Sequence, residues 1–198
     1  QLVYLSYAKG DSAANGTAIY RARLEGDTLV AGADILWVND KKNTAQHYGG
    51  RLLFLPDNSL LLATGDGFDF REQAQNGSNE LGKVLRILDD GSVPADNPFH
   101  TTGSERVWTL GHRNPQGLTL DRSTGTVYLH EHGPKGGDEV NVLQAASNYG
   151  WPAATHGVDY SGAYVSPFTQ LPGMAPPLHY WVPSIAPSGF AWYGGDKF

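Results

Sequence analysis

The feature that most constrains the fold is a repeated unit of strand, polar turn, strand and polar tip that ends in glycine. One copy reads GRLLFLPDNSLLLATGDG (Gly50 to Gly67) and another reads QGLTLDRSTGTVYLHEHG (Gln116 to Gly133). The segment LVYLSYAKG, ending at Gly10, resembles the second half of the unit, so the tips lie 57 residues (Gly10 to Gly67) and 66 residues (Gly67 to Gly133) apart. A repeat of this length, built from about four short strands, is typical of a β-propeller blade.

The rest of the chain shows the same pattern of short strands and polar turns. AIYRARL and TLVAGADILWV flank the turn EGD, KVLRILDDGSV turns at DDG, and PSGFAWYGGDKF resembles the first half of the repeated unit. The sequence therefore predicts an all-β chain of about three blades, forming one partial propeller domain over residues 1–198 with both ends inside blades. Propellers close with about four to eight blades, so we expect a fragment of a larger propeller. A complete β-sandwich with similar hairpins is the alternative that the repeat leaves open.

Charge and composition exclude several classes of function. The net charge is −6, no run of lysine and arginine occurs, and there is no cysteine. A nucleic-acid partner is therefore not expected, and neither is a disulfide, a zinc–cysteine site or thiol catalysis. No apolar run approaches the roughly 20 residues that a membrane-spanning helix needs. Phosphate-binding glycine loops, dinucleotide-binding glycine patterns and nucleophile elbows are also absent from the sequence.

The polar tips carry the residues with the most chemical potential. His47 in QHYGGR has the near-neutral intrinsic pKa that suits a general base, and Asp66 in ATGDG is a carboxylate that could orient it. Arg113 and Asn114 in GHRNPQG offer donors for a carboxylate or a developing oxyanion. A surface histidine and a capped turn with an exposed arginine remain the plainer alternatives.

The tip EHGPKGGDEVN combines glycines, a proline and charged residues. Exposed carbonyls together with Asp138 and Glu139 would suit Ca²⁺, although a solvated turn explains the same residues equally well. His130 and His132 alternate onto one strand face, as two ligands of a transition metal would. No third ligand is evident nearby, so a transition-metal site is not predicted.

Five motifs in register resemble one known family. HYGGRLLF…LLLATGD, GKVLRI…DGSVPADNPF, GHRNPQGL, EHGPKGGDEVN…NYGWP and YWVPSIAPSGFAWY occur in this order, from about His47 to the end of the chain. Together they resemble the glucose/sorbosone dehydrogenase family, above all its bacterial aldose sugar dehydrogenases. The resemblance implies a six-bladed β-propeller and a quinoprotein that oxidises the C1 hydroxyl of aldose sugars to lactones. The implied cofactors are pyrroloquinoline quinone (PQQ) and Ca²⁺.

The resemblance also implies roles for particular residues. His47 matches the catalytic base, Asp66 the carboxylate that partners it, and Arg113 the group that stabilises negative charge on the quinone. The implied PQQ contacts are Arg113, Asn114, Tyr160 and Trp181. The implied metal ligands are Gly133 and Pro134, through carbonyls, for the Ca²⁺ beside PQQ, and Glu139 and Tyr149 for a second, structural Ca²⁺.

Partners and location follow from the same resemblance. We expect an aldose substrate, an external electron acceptor and a periplasmic or secreted location, whereas the preferred sugar and the oligomeric state stay open. Two rival functions also stay open at this point. One is a propeller that serves as a non-catalytic binding module, and the other is a Ca²⁺-dependent lactone hydrolase on a similar propeller.

Overall fold

The computed structural model describes residues 1–197 as three consecutive antiparallel sheets. The first sheet has the order β1-β2-β3, with β1 (Leu2–Gly10), β2 (Asn15–Glu25) and β3 (Thr28–Trp37). The second has the order β4-β5-β6-β7, with β4 (Gly49–Phe54), β5 (Leu60–Thr64), β6 (Lys83–Ile87) and β7 (Val107–Leu110). The third has the order β8-β9-β10-β11, with β8 (Pro115–Asp121), β9 (Thr126–Glu131), β10 (Asp138–Leu143) and β11 (His179–Trp181). Within residues 1–197 the one helical element is a 3₁₀ turn, Arg71–Gln75.

The apolar run in β5 explains how the sheets pack. Side chains alternate across a strand, so neighbouring residues of β5 face opposite sides of the second sheet. Leu60 and Leu62 pack with residues of the first sheet, whereas Leu61 and Ala63 pack with residues of the third. All four are fully buried. A strand covered on both faces has no polar side, which is why LLLA shows no alternation of apolar and polar residues.

Antiparallel pairing brings the polar tips to one end of the sheets. The start of β4 lies beside the end of β5, and the start of β8 lies beside the end of β9. The first strands of successive sheets also contact each other, β1 against β4 and β4 against β8. The backbone N–H of Asp66 donates to the carbonyl of Arg113 at 2.8 Å and joins the tips of the second and third sheets. The tips therefore converge on one face of the chain.

The structure confirms the all-β fold class and a chain that covers about three propeller blades. It differs from the sequence prediction in the outer strands. No strand follows the DDG turn directly, since β7 begins only at Val107, and the described part of PSGFAWYGGDK contains no strand. The outermost strand of the third sheet is instead the short β11 in HYW. No helix among residues 1–197 is both long and apolar enough to cross a bilayer.

Side-chain hydrogen bonds from Arg86 and Asn97 help to hold the irregular excursion after β6. Arg86 donates to Asp57 at 2.7 Å and to Asp96 at 2.8 Å. The Asn97 amide donates to the carbonyls of Arg86 and Glu105, each at 2.9 Å. These bonds join the excursion to β6 and to residue 105, just before β7.

Candidate active site

The centre of the candidate site is a histidine–aspartate pair. His47 Nδ1 lies 2.6 Å from Asp66 Oδ1, and the side chain of Asp66 is only 1% exposed. The two residues come from the approach to β4 and from the end of β5, which antiparallel pairing places side by side. The structure therefore places next to each other the histidine and the carboxylate that the sequence predicted to act as a pair.

The carboxylate of Asp66 accepts three hydrogen bonds. Besides its contact with His47, Oδ1 accepts the backbone N–H of Phe68 at 2.8 Å, and Oδ2 accepts the indole N–H of Trp151 at 2.7 Å. With its oxygens acting as acceptors, the carboxylate places the proton of neutral His47 on Nδ1. The other ring nitrogen, Nε2, then keeps a free lone pair. That is the arrangement a general base requires.

The backbone at His47 is in the left-handed region, with φ of 52°. This conformation is uncommon for a residue with a side chain and is held only where the surroundings enforce it. A Cβ added to Gly65 would lie 2.1 Å from the His47 carbonyl oxygen, so the chain approaches the histidine where only glycine fits. The strain and the close approach together constrain the backbone at His47, and the contact with Asp66 orients the imidazole.

Arg113 is the second fixed group of the site. Its guanidinium donates to the carbonyls of His132 at 3.1 Å and of Gly133 at 2.6 Å, and to the Tyr160 hydroxyl at 3.3 Å. It also lies over the ring of Trp151, 5.3 Å from the centroid. Arg113 is only 4% exposed, yet no carboxylate forms an ion pair with it among the described residues. A buried cation of this kind favours an anionic ligand or a developing negative charge.

Two cavities meet at these residues. The smaller, of about 280 Å³, is polar, and its wall also contains Asp69, Arg71 and Asp159. The larger, of about 600 Å³, lies within the range of small-molecule sites. The residues that line both cavities are His47, Arg113, Pro134 and Tyr160. Molecules that occupied the two cavities would therefore meet beside His47.

The predicted PQQ contacts are placed unequally. Asn114 lines the larger cavity, and its Oδ1 accepts a hydrogen bond from Gln116 at 3.0 Å. Tyr160 lines both cavities and is 60% exposed, so its ring offers a flat aromatic wall. Trp181 lies in β11 and packs edge-on against His179, while the next residue, Val182, lines the larger cavity. A contact between Trp181 and PQQ stays a prediction.

The larger cavity fits a planar anionic quinone in size and chemistry. Arg113 and Lys135 supply positive charge on its wall, Asn114 supplies an amide, and Tyr160 and Val182 supply apolar surface. An aromatic ring system with carboxylate groups needs these two kinds of contact. The residues present are therefore consistent with PQQ.

The carbonyls of Gly133 and Pro134 belong to a tightly folded loop. A Cβ added to Gly133 would come within 2.2 Å of the Gly136 carbonyl oxygen, so no other residue fits there. The Gly133 oxygen accepts one hydrogen bond, from Arg113, and a carbonyl can accept two. Pro134 lines both cavities. These carbonyls are hard oxygen donors of the type that Ca²⁺ binds.

Glu139 and Tyr149 border a separate void of about 10 Å³, which is room for about one water molecule or ion. Glu131 lines the same void, and burial followed by the charge of Glu131 raises the pKa of Glu139 to about 8. Nearby, the Oδ1 atom of Asn141 is buried without a hydrogen-bond partner. The Tyr149 hydroxyl donates to the Val142 carbonyl, which leaves its own backbone carbonyl as its possible ligand atom. Two adjacent carboxylates fit a hard cation.

The structure also shows residues that the sequence reasoning missed. Trp151 binds the dyad carboxylate through its indole, although it stands 85 residues from Asp66. Glu131 accepts the backbone N–H of Arg113 at 2.5 Å and lies 2.8 Å from His112 Nδ1. The motifs NYGWP and GHRNPQG contain two of these residues, but nothing in their spacing indicates which carboxylate each would contact. Within residues 1–197, no group of three or more histidine or acidic side chains is placed to hold a metal.

Comparison with known proteins places this geometry among related enzymes. The family model described as Glucose / Sorbosone dehydrogenase matches residues 1–198. Aldose sugar dehydrogenase YliI of Escherichia coli K12 is 40% identical over 204 residues, covering 99% of this chain and 54% of its own length. The apo-form structure of the soluble aldose sugar dehydrogenase from E. coli is 38% identical and covers 100% of this chain and 58% of its own, with a TM-score of 0.94.

A third relative was solved with a cofactor. The PQQ-bound form of an aldose sugar dehydrogenase from Streptomyces coelicolor is 28% identical and covers 96% of this chain and 52% of its own, with a TM-score of 0.73. The present chain spans about half the length of the first curated relatives it matches, 51% and 54%.

Proposed function

The chain belongs to the glucose/sorbosone dehydrogenase family, and from that premise we propose that its site oxidises the C1 hydroxyl of aldose sugars to lactones with PQQ as the oxidant. The observation that carries this proposal is the position of the His47–Asp66 pair between two cavities, with Arg113 beside it. A binding module would have no need for a strained histidine with a free Nε2.

The smaller cavity would hold the sugar. Its polar wall offers Asp69, Arg71 and Asp159 as partners for sugar hydroxyls, and Asp159 accepts hydrogen bonds from Ser161 that fix its carboxylate. His47 Nε2 would take the proton from the C1 hydroxyl, and Asp66 would stabilise the imidazolium that results. As the proton leaves, C1 gives up a hydride and its bond to oxygen becomes the lactone carbonyl.

The larger cavity would hold PQQ through Arg113, Asn114 and Tyr160, with Trp181 near its border. Carbonyls of Gly133 and Pro134 would hold Ca²⁺ beside it, and Glu139 and Tyr149 would hold a structural Ca²⁺. When bound, PQQ supplies the electrophile that accepts the hydride, and the two electrons then pass to an external acceptor. Arg113 would stabilise negative charge that develops in this cavity. We further propose a periplasmic or secreted location.

The test is an oxidation assay on the complete natural protein in which this sequence occurs, with PQQ, Ca²⁺, a panel of aldoses and a redox dye. We expect dye reduction that requires all three additions and that His47→Ala abolishes. The matched control is His100→Ala, because His100 is an exposed histidine between β6 and β7. Hydrolysis of lactones without PQQ, lost on chelation, would refute the proposal in favour of a hydrolase.

A further inference from the structure

The residues 182–188, termed the strap, form one wall of the larger cavity. Val182, Pro183, Ser184 and Ala186 line it, and the wall continues with residues 132–136 of the tip that follows β9. Residues 133–137 are termed the tip loop. The width of the cavity therefore depends on how the strap is held against the tip loop.

Asp138 bridges the two segments. Its Oδ2 accepts the Ser184 hydroxyl at 2.7 Å and the backbone N–H groups of Ile185 at 2.8 Å and Ala186 at 2.7 Å. Its Oδ1 accepts the backbone N–H of Gly133 at 2.9 Å. The carboxylate is fully buried, and no lysine or arginine pairs with it among residues 1–197. Its charge is balanced by four donors drawn from both segments.

The two histidines of HEH hold the far end of the strap. His132 Nε2 lies 2.7 Å from the Pro187 carbonyl, and His130 Nε2 lies 2.6 Å from the Ser188 carbonyl. A carbonyl only accepts, so both Nε2 atoms carry the hydrogen. Gly117 makes room for the His130 ring, because a Cβ there would lie 2.4 Å from its Nε2. Each histidine thus donates a hydrogen bond from Nε2 to a backbone carbonyl of the strap.

The strap has no other polar attachment within the described chain. Within residues 1–197, the hydrogen bonds that join residues 182–188 to other segments end on Asp138, His130 or His132. Val182 and Ile185 are 62% and 54% exposed, so apolar burial does not replace those bonds. Beyond its continuation from β11, the strap is therefore held by three side chains.

We propose that Asp138, His130 and His132 are positioning residues that hold the strap against the tip loop and thereby set the shape of the cofactor cavity. The inference rests on the proposed function, since it takes the larger cavity to be the PQQ site. It assigns the paired histidines a role in holding backbone, without any metal. It also gives Asp138 an inward-facing role distinct from that of the adjacent Glu139.

The test compares His132→Leu, which loses the bond to Pro187, with His132→Gln, whose amide N–H has a similar reach. Asp138→Asn is the second probe, because one amide oxygen cannot serve both the strap and Gly133. PQQ affinity is measured by fluorescence titration of the complete natural protein, and hydrogen exchange is measured on peptides that cover the strap. The matched control is His100→Leu, at an exposed histidine away from the cavity.

We expect His132→Leu to weaken PQQ affinity about tenfold, as the loss of one buried hydrogen bond predicts, and to speed exchange in the strap. His132→Gln should restore both, and His100→Leu should change neither. Equal affinity and equal exchange in the leucine and glutamine variants would overturn the inference while leaving the proposed function intact. A wild-type protein that binds no PQQ would overturn the proposed function, and this inference with it.

Discussion

Replacement of Asp66 by asparagine separates the proposed catalytic role of this residue from its structural role. The carboxylate accepts hydrogen bonds from His47, Phe68 and Trp151 at 2.6, 2.8 and 2.7 Å. Asparagine has nearly the same shape, but it has one acceptor oxygen and one NH₂ group. If the oxygen faces His47 and Phe68, the NH₂ opposes the Trp151 indole N–H. If the amide turns over, the NH₂ opposes the Phe68 N–H, and His47 must shift its proton to Nε2.

Both orientations leave one buried donor facing another donor. We therefore expect Asp66→Asn to lower the free energy of unfolding by about 1–3 kcal/mol, the usual cost of an unpaired buried polar group. We expect activity to fall by roughly 100- to 10,000-fold. The charge that would stabilise the imidazolium is gone, and in the second orientation the proton on Nε2 leaves His47 unable to act as the base.

Trp151→Phe supplies the matched second mutation. In the wild-type background it leaves Asp66 Oδ2 without its indole donor, whereas in the Asp66→Asn background it removes the donor that opposes the amide. The double variant should therefore be more stable than the sum of the two single changes predicts, by about 0.5–3 kcal/mol. It should not regain activity, because asparagine still carries no charge.

The free energy of unfolding is measured in urea for wild type, the two single variants and the double variant. Their activities are measured by dye-coupled turnover. The control is Asp27→Asn, in the exposed turn between β2 and β3. Strictly additive stabilities would show that Trp151 and Asp66 are not coupled as the 2.7 Å contact requires. Activity of Asp66→Asn within tenfold of wild type would refute the role of the carboxylate in catalysis.

Three further predictions use other parts of the chain. Lys83 is fully buried, and burial lowers its pKa to about 7 from 10.5, so the unfolded chain binds more protons between those values and wild-type stability should rise with pH across that window. Lys83→Met also removes the hydrogen bonds that Nζ donates to the carbonyls of Gln73 and Leu81 at 2.6 and 2.7 Å, so the pH dependence of the difference is the informative quantity. In urea unfolding, the free energy of unfolding of wild type relative to Lys83→Met should be lowest below about pH 7 and rise by about 1.4 kcal/mol per pH unit above it; a pH-independent difference would contradict a lowered pKa for Lys83. Gly117→Ala should lower the free energy of unfolding by about 1–3 kcal/mol, since the new Cβ must displace His130 and Phe190, and an unchanged melting temperature would show that the site relaxes freely. Chelation of Ca²⁺ should lower the melting temperature, because it would leave Glu131 and Glu139 without a cation between them. Added Ca²⁺ should restore the melting temperature of wild type but not of Glu139→Gln. A wild-type protein whose melting temperature does not respond to chelator would argue against the second calcium site.

The fold was predictable from sequence wherever a hairpin is local. The turns at Pro56–Asn58 and Arg122–Gly125 are short and contain residues that suit a turn, and the strands β4, β5, β8 and β9 lie where the repeat predicts them. The outer strands were not predictable in the same way. After β6, the partner strand β7 follows only once Arg86 and Asn97 have fastened an irregular excursion, and those contacts lie outside any periodic pattern.

The sequence predicted which residues form the candidate site better than it predicted which of them contact each other. His47, Asp66 and Arg113 were expected from their residue types and from the family resemblance, and the structure places them together. Trp151 was not expected to touch Asp66, because a contact between residues 85 positions apart leaves no local trace. Nor was Asp138 expected to face inward, since the sequence beside it resembles a solvated turn.

Asp66 and Asp138 are both buried carboxylates whose charge must be balanced by hydrogen-bond donors. Each is a fully buried carboxylate that makes no direct ion pair with a lysine or arginine in the described chain, and each accepts hydrogen bonds from segments that are distant in sequence. Desolvation of such a charge is costly unless all of its donors are in place at once. Asp66 therefore requires that the tips around His47 and Trp151 be docked together, and Asp138 requires the same of the tip loop and the strap. The sequence of a single tip could not predict these contacts, because each carboxylate accepts its hydrogen bonds from residues of other segments.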